Sequence, residues 1–482
     1  MSTLTHRRQI AIAMLLAVLL GTVAGCVTPT PQVTEVTKEV VKEVPVTKEV
    51  VKEVPVTKEV VKEVVKEVPV TVAAPPGMKE VRIARCGWLE AEIPLDLAIA
   101  TYNALPERAN DKVQIVLDPT GKASGDPLLA QMRKDKKMVW NGYTCDAPFL
   151  GLAPAVELEN IVPIEPYIQT SQYVTAAQRI KGQMFKSVWA ENSAKGQLYG
   201  LPMVTDVVVF MYRKDYLAAV GYPEGPKNWD EVLDAAKKVQ AKYGGDVFGF
   251  APTPAVLWRY VAALHQAFSL PDKLFTPEGL LNIKDPGFIE AMKITKQFID
   301  AGVVPAGWET WGYPETWKMG KVAMALNQHS MGAWGGMIWG YDNLKIVPIP
   351  VGPGIENSGT MFWSSSFELY NDAPYPQETM DFMVWLSDPD NELWQRGLFK
   401  AGKISAYASA YDKFIDPKDV TQNWALGVRD LLKSATAAPN TKWYITVHSK
   451  FLPYFISYLQ GKTSAEDAVN KAWDEIQAEM KK

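Results

Sequence analysis

The sequence predicts an α/β protein with two substantial cores, and three observations carry that prediction. Apolar, β-branched runs alternate with helical stretches through short connections, the pattern of mainly parallel sheets flanked by helices. The run at 204–212, VTDVVVFMY, holds a single charge, Asp206, and reads as a strand buried on both faces. The chain of 482 residues, 47% hydrophobic and 22% charged, is also long enough to fill two cores.

From the N-terminus, His6-Arg7-Arg8 precedes an apolar stretch at 10–20 that is too short to span a bilayer, and Val23-Ala24-Gly25-Cys26 follows. That order reads as a lipoprotein signal over 1–25, with Cys26 acylated and the mature chain anchored to the outer side of the cell membrane. An uncleaved anchor with an incidental cysteine is the alternative. Arg7-Arg8 also hints at twin-arginine export. Residues 26–77 carry VTKEVVKEVP at 36–45, again at 46–55, and a lengthened copy at 56–69. Lysine and glutamate nearly balance there, aromatics are missing, and Pro45, Pro55 and Pro69 interrupt each helical segment. The stretch reads as a tether that could reach ~150 Å when extended at about 3.3 Å per residue; a coiled-coil partner segment is the second reading.

The body begins near Met78. A strand at 79–86, a helix at 94–105, a strand at 113–117, a helix at 126–136, a strand at 138–145 and a helix at 148–158 alternate as a parallel sheet requires. Ligands of such sheets bind beyond the carboxyl ends of the strands. Trp88 and Glu90 follow the first strand, Asp118 and Thr120 the second, Tyr143 and Asp146 the third, and all six are candidates. Cys86 and Cys145 lie near the ends of two of these strands. With Cys26 acylated they make an even count in an oxidising compartment, so a disulfide forms if the strands are neighbours, and two buried thiols are the alternative.

After 204–212, Arg213-Lys214-Asp215 ends the strand and Asp215 can cap a short helix at 216–220. Asn228 leads into a helix at 229–243 with an acidic first turn. A strand at 247–251 and a helical stretch at 253–268 carrying Trp258 and Arg259 come next, then a helix at 286–302 capped by Asp285. A strand at 319–327 feeds a loop at 328–340 with His329, Trp334 and Trp339. A returning strand at 359–365 holds Trp363, and helices follow at 375–386, 424–437 and 448–459, with Trp443 between the last two. Ser464 opens the final helix as a capping box.

Gly196–Pro202, Asp206 in its strand, Tyr212-Arg213-Lys214-Asp215, Gly221–Pro223 and Pro226–Val232 follow one another in a set order. This string resembles the extracellular solute-binding proteins of ABC importers, in particular the sugar-binding group that includes the maltodextrin binders. Arg213 departs from the Asn usual at its position. Met319–Met324 resembles the family's G-K-[VA]-A-M strand, IVPIEPYI at 161–168 its l-x-P-L-D-x-Y-I segment, and Ser387-Asp388-Pro389 the end of its later helix. The resemblance implies a two-lobed periplasmic-binding-protein-like fold of type II with a ligand cleft between the lobes. Lobe 1 would take 78–204 and 356–407, and lobe 2 would take 205–355 and 408–482. It implies a monomer that hands its solute to separate permease subunits.

Such a protein binds and breaks no bond. A sugar's hydroxyls need charged acceptors and its C–H faces need flat apolar rings. With 16 tryptophans in the chain, the resemblance points to Tyr143, Asp146 and Asp206 on one side of the cleft, and to Trp258, Trp334, Trp363 and Trp443 on the other. Each has a plainer reading as core or cap: Asp206 as an acid satisfied internally, Asp146 as a helix cap, the rings as filler, His329 as a polar loop residue. A polyamine, a polyol phosphate or a peptide are alternative solutes, although few basic candidates disfavour an anion. The net charge of −4 gives no support to nucleic acid. Four histidines, none in an H-E-x-x-H motif, and no G-x-S-x-G or phosphate loop leave no metal, no cofactor and no enzyme signature. Asp146 and Asp206 as a glycosidase pair, or a surface adhesin without a small ligand, are the remaining classes.

Overall fold

The computed structural model describes residues 77–482 apart from 88, 90–91, 147, 257–259, 310–312 and 357. The leader, Cys26 and the tether therefore lie outside the described residues, as do Trp88, Glu90, Trp258 and Arg259. So do the side chains of Cys145 and Asp146.

The backbone is one mixed nine-stranded sheet and a separate two-stranded hairpin, flanked by helices. Its strands are β1 (Lys79–Ala84), β2 (Val113–Asp118), β3 (Trp140–Asp146), a small hairpin of β4 (Ser193–Ala194) and β5 (Gln197–Leu198), β6 (Gly200–Arg213), β7 (Phe248–Ala251), β8 (Val322–Gln328), β9 (Leu344–Val347), β10 (Met361–Leu369) and β11 (Thr436–Ala437). The spatial order is β2-β1-β3-β10-β6-β8-β7, with β11 on β10 and β9 on β6. The expected parallel order holds for β2, β1 and β3 and for β7 with β8. At the centre it gives way, because β10 and β6 run antiparallel to each other and to their outer neighbours.

β6 is buried at every one of its 14 positions, as its unbroken apolar run requires. It changes partner midway. Residues up to Val207 pair with β10, Val207 opposite Phe362; from Val208 onward they pair with β8 and β9. Beyond this change β6 feeds both large apolar cores, Val209 and Met211 belonging to one and Val208, Phe210 and Tyr212 to the other. One gathers Val81, Ile115, Phe382, Trp394 and Tyr411; the other gathers Phe250, Phe288, Trp229, Phe451 and Val469. Helices Ala408–Phe414 and Trp424–Leu432 pack in the first.

Local signals explain most element ends. Asn228 accepts from the Glu231 backbone amide and starts the helix Trp229–Tyr243. Asp285 accepts from Gly287, and Ser464 from Asp467, at the starts of Pro286–Asp300 and Ala465–Met480. Two expectations fail. Asp215 does not cap its helix; it pairs with Arg213, whose guanidinium is sandwiched between the Tyr216 and Trp339 rings. The loop expected at 328–340 is the helix His329–Trp339. Its glycines hide the helix in the sequence, yet two of them allow rings to pack closely against it. A Cβ on Gly335 would lie 2.6 Å from the Trp317 indole, and one on Gly336 2.6 Å from the Tyr341 ring.

Candidate functional site

Asp206 sits one residue before β6 changes partner, opposite Trp363 on β10. Three further segments converge on it. The end of β8 runs into the helix His329–Trp339 and supplies His329, Ser330 and Trp334. The turn after helix Glu392–Lys400 supplies Lys403, and the segment after β1 supplies Glu92.

The polar atoms form a chain. Lys403 Nζ lies 2.9 Å from Glu92 Oε2 and 3.4 Å from Asp206 Oδ2. Ser330 donates to Asp206 Oδ1 at 3.1 Å and accepts from the Gln328 amide. Asp206 is 2% exposed and Lys403 0%. Glu92, with 29% of its side chain exposed, is the end of the chain that meets solvent. A cavity of about 540 Å³ opens beside it, lined also by Ile93, Leu97, Arg396 and Lys400.

His329, fully buried, accepts a hydrogen bond at Nδ1 from the Val207 backbone amide, and its ring stacks on Trp424. Nδ1 is therefore the unprotonated nitrogen. Burial drives the imidazole's pKa down to about 4, with Lys403 adding to the effect, while the Asp206 charge offsets only part of it. His329 is neutral near pH 7, so Lys403 supplies the positive charge that Asp206 faces.

Backbone geometry delivers Lys403. Gly402 adopts φ +76° and presses against the next segment, where a Cβ would lie 2.9 Å from Ala333 and 3.1 Å from Trp334. Only glycine fits there, both by conformation and by space. The Trp334 ring lies 5.0 Å from Lys403 Nζ and 5.4 Å from Lys318 Nζ, and its indole donates to the Ala401 carbonyl. Trp334 is thus held by two lysines and a backbone oxygen.

A second buried acid guards the same crossing. Glu191 ends the helix Lys186–Glu191 and accepts from the backbone amide and hydroxyl of Ser364, the residue after Trp363. The neighbouring Asn192 amide donates to Ser364 Oγ, and Asn440 donates to the Glu191 carbonyl. Burial pushes the Glu191 carboxyl up to about 8, the Ser364 hydrogen bonds opposing.

The structure thus brings together Asp206, Trp363 and Trp334 among the sequence-derived candidates. Tyr143 stands half-buried in β3, paired with Ala84 and Glu368. The Asp146 backbone pairs with Ser366, three residues along β10 from Trp363. Trp443 sits just ahead of helix Tyr444–Leu459, against the second core, with Lys442 over its ring. Asp118 and Thr120 satisfy each other, and Asp118 also accepts from Trp140. Glu92, Lys403, Ser330 and Glu191 escaped the sequence reading.

Residues 107–428 match a family model described as bacterial extracellular solute-binding protein. A binding protein of Brucella abortus is 28% identical over 203 residues, 38% of this chain and 47% of that one. An ABC transporter-binding protein of Deinococcus radiodurans is 25% identical over 277 residues, 53% of this chain and 62% of its own. The match spans about half the length of these curated relatives. Among solved structures, maltose-bound T. maritima MalE3 superposes with a TM-score of 0.66 at 17% identity, over 83% of this chain and 99% of that one. The shared architecture is the two-lobed fold of periplasmic binding proteins.

Proposed function

The chain belongs to the bacterial extracellular solute-binding proteins, and we propose that it captures a carbohydrate, an oligosaccharide in the first instance, for delivery to the permease of an ABC importer. The observation that carries the sugar reading is a fold shared with a maltose-bound protein over nearly all of that protein's length. The charge balance of the site supports it. The acid best placed on the crossing strand already has a lysine partner, so no solute cation is needed to neutralise it.

Capture would proceed by closure of two lobes about β6, β10 and the segment through β11, with solute favouring the closed state through contacts to both. Asp206 and Trp363, both buried, would reach solute only in a more open arrangement. Tyr143, Asp146, Trp334 and Trp443, with Trp88, Glu90 and Trp258, complete the assignment. The 1–25 leader and acylated Cys26 would hold the protein at the membrane through the 26–77 tether.

In a thermal-unfolding screen, oligosaccharides should raise stability by about 2.7 kcal/mol at 100 times Kd, and polyol phosphates and peptides should not. A flat response to every sugar would sink the reading. Cys86 is disulfide-bonded, and Cys86 and Cys145 each lie two residues beyond the paired Ala84 and Tyr143. We assign Cys145 as the partner. Alkylation with and without reductant should label both cysteine peptides only after reduction, and a Cys145 that alkylates in the unreduced protein would refute the pairing.

A further inference from the structure

Two carboxylates and an aromatic face gathered around one buried position are the chemistry of an ammonium site. Glu92 Oε2, Asp206 Oδ2 and the Trp334 ring provide such a site, and the chain itself fills it: Lys403 Nζ lies 2.9 Å, 3.4 Å and 5.0 Å from the three. We propose that Lys403 is a built-in cation that occupies the place a solute amine would take, and so restricts the protein to uncharged polyhydroxy solutes. The inference rests on the solute-binding reading above and deepens it by naming what the site rejects.

Three features show the position is built for this residue. Asp206 and Lys403 are both buried, so a cation competing from solvent would have to displace a lysine already inside. His329, the other basic group against Asp206, uses Nδ1 to accept from Val207 and so carries no charge to share. The Gly402 backbone, which no other residue could adopt without collision with Ala333, sets the lysine beside Trp334. Glu92 and Asp206 both face Lys403. The cavity beside Glu92 gives a small molecule a route to that end of the chain. Removing the lysine side chain beyond Cβ would leave a slot the length of a short alkylamine between two carboxylates.

The test is chemical rescue in the full chain. Wild type and Lys403→Ala are titrated with n-propylammonium, putrescine and, as neutral controls, n-propanol and maltotriose, at constant ionic strength, with thermal unfolding and calorimetry as readouts. Wild type should show no response to either amine. K403A should melt at lower temperature and recover saturably with n-propylammonium but not with n-propanol, and should bind putrescine at least tenfold more tightly than wild type. If K403A folds only in amine-containing buffer, that dependence is itself the rescue. If it folds in neither, Lys403→Gln, whose amide keeps a donor to both acids without charge, is tested for the same gain in putrescine affinity. Wild-type binding of putrescine, or a folded variant indifferent to amines, overturns the proposal. The maltotriose arm in wild type reads the sugar assignment separately, so a failure there leaves the amine result standing.

Discussion

Replacing Glu191 with glutamine is expected to stabilise the protein by about 4–5 kcal/mol relative to wild type as pH rises from 4.5 to 8, and to change little below that window. The sign follows from burial. The carboxyl's pKa stands near 8 in the folded chain against 4.5 as its ordinary value, so the folded state holds a proton the unfolded state gives up. The stability it contributes is complete below pH 4.5 and is lost as pH rises through 8. Ser364 donates both its hydroxyl and its backbone amide to the carboxyl, which opposes burial without overcoming it. Glutamine stays uncharged in that place at every pH. Urea unfolding of both proteins at pH 5 and pH 8.5 measures the difference, and parallel pH profiles would show that Glu191 ionises freely where it stands.

The Asp206–Lys403 pair should show the second large effect. Lys403→Ala or Asp206→Leu alone is expected to cost about 3–5 kcal/mol, because each strands a buried charge. Asp206→Leu combined with Lys403→Met should lose far less than the sum. It removes both charges and fills their volume, and Glu92 remains partly in water. A double-mutant cycle by denaturant unfolding reads the coupling. Strictly additive losses would mean that the two groups are solvated independently and that Asp206 does not depend on Lys403.

How far the site could be read in advance depended on where its signals lay. Asp206 announced itself because one charge inside VTDVVVFMY has no surface to face. The strands of the first core were legible from period and turn residues alone, and the caps at Asn228, Asp285 and Ser464 from their side-chain types. Lys403 carried no such mark. KAGKISAY is an ordinary helix exit, and its lysine is buried only because Asp206, 197 residues earlier, and Glu92 need a counter-charge. Glu191 was hidden in the same way, since its partner Ser364 lies 173 residues on. The helix His329–Trp339 was misread for a different reason. Gly332, Gly335 and Gly336 lower intrinsic helix propensity, and what restores the helix is the packing of rings from Trp317 and Tyr341, which local sequence does not contain.

β6 also bears on how the protein comes apart. Its first half is hydrogen-bonded to β10 and its second half to β8 and β9, with no exposed residue between, and alternate residues of the second half belong to opposite cores. Neither core can open fully without peeling a shared strand from its neighbour, and that exposes apolar side chains on both sides at once. Two cores of this size would ordinarily melt as separate cooperative units. Here they are bound into one, and a gene split within β6 would leave each product lacking half of a strand that lines both cores.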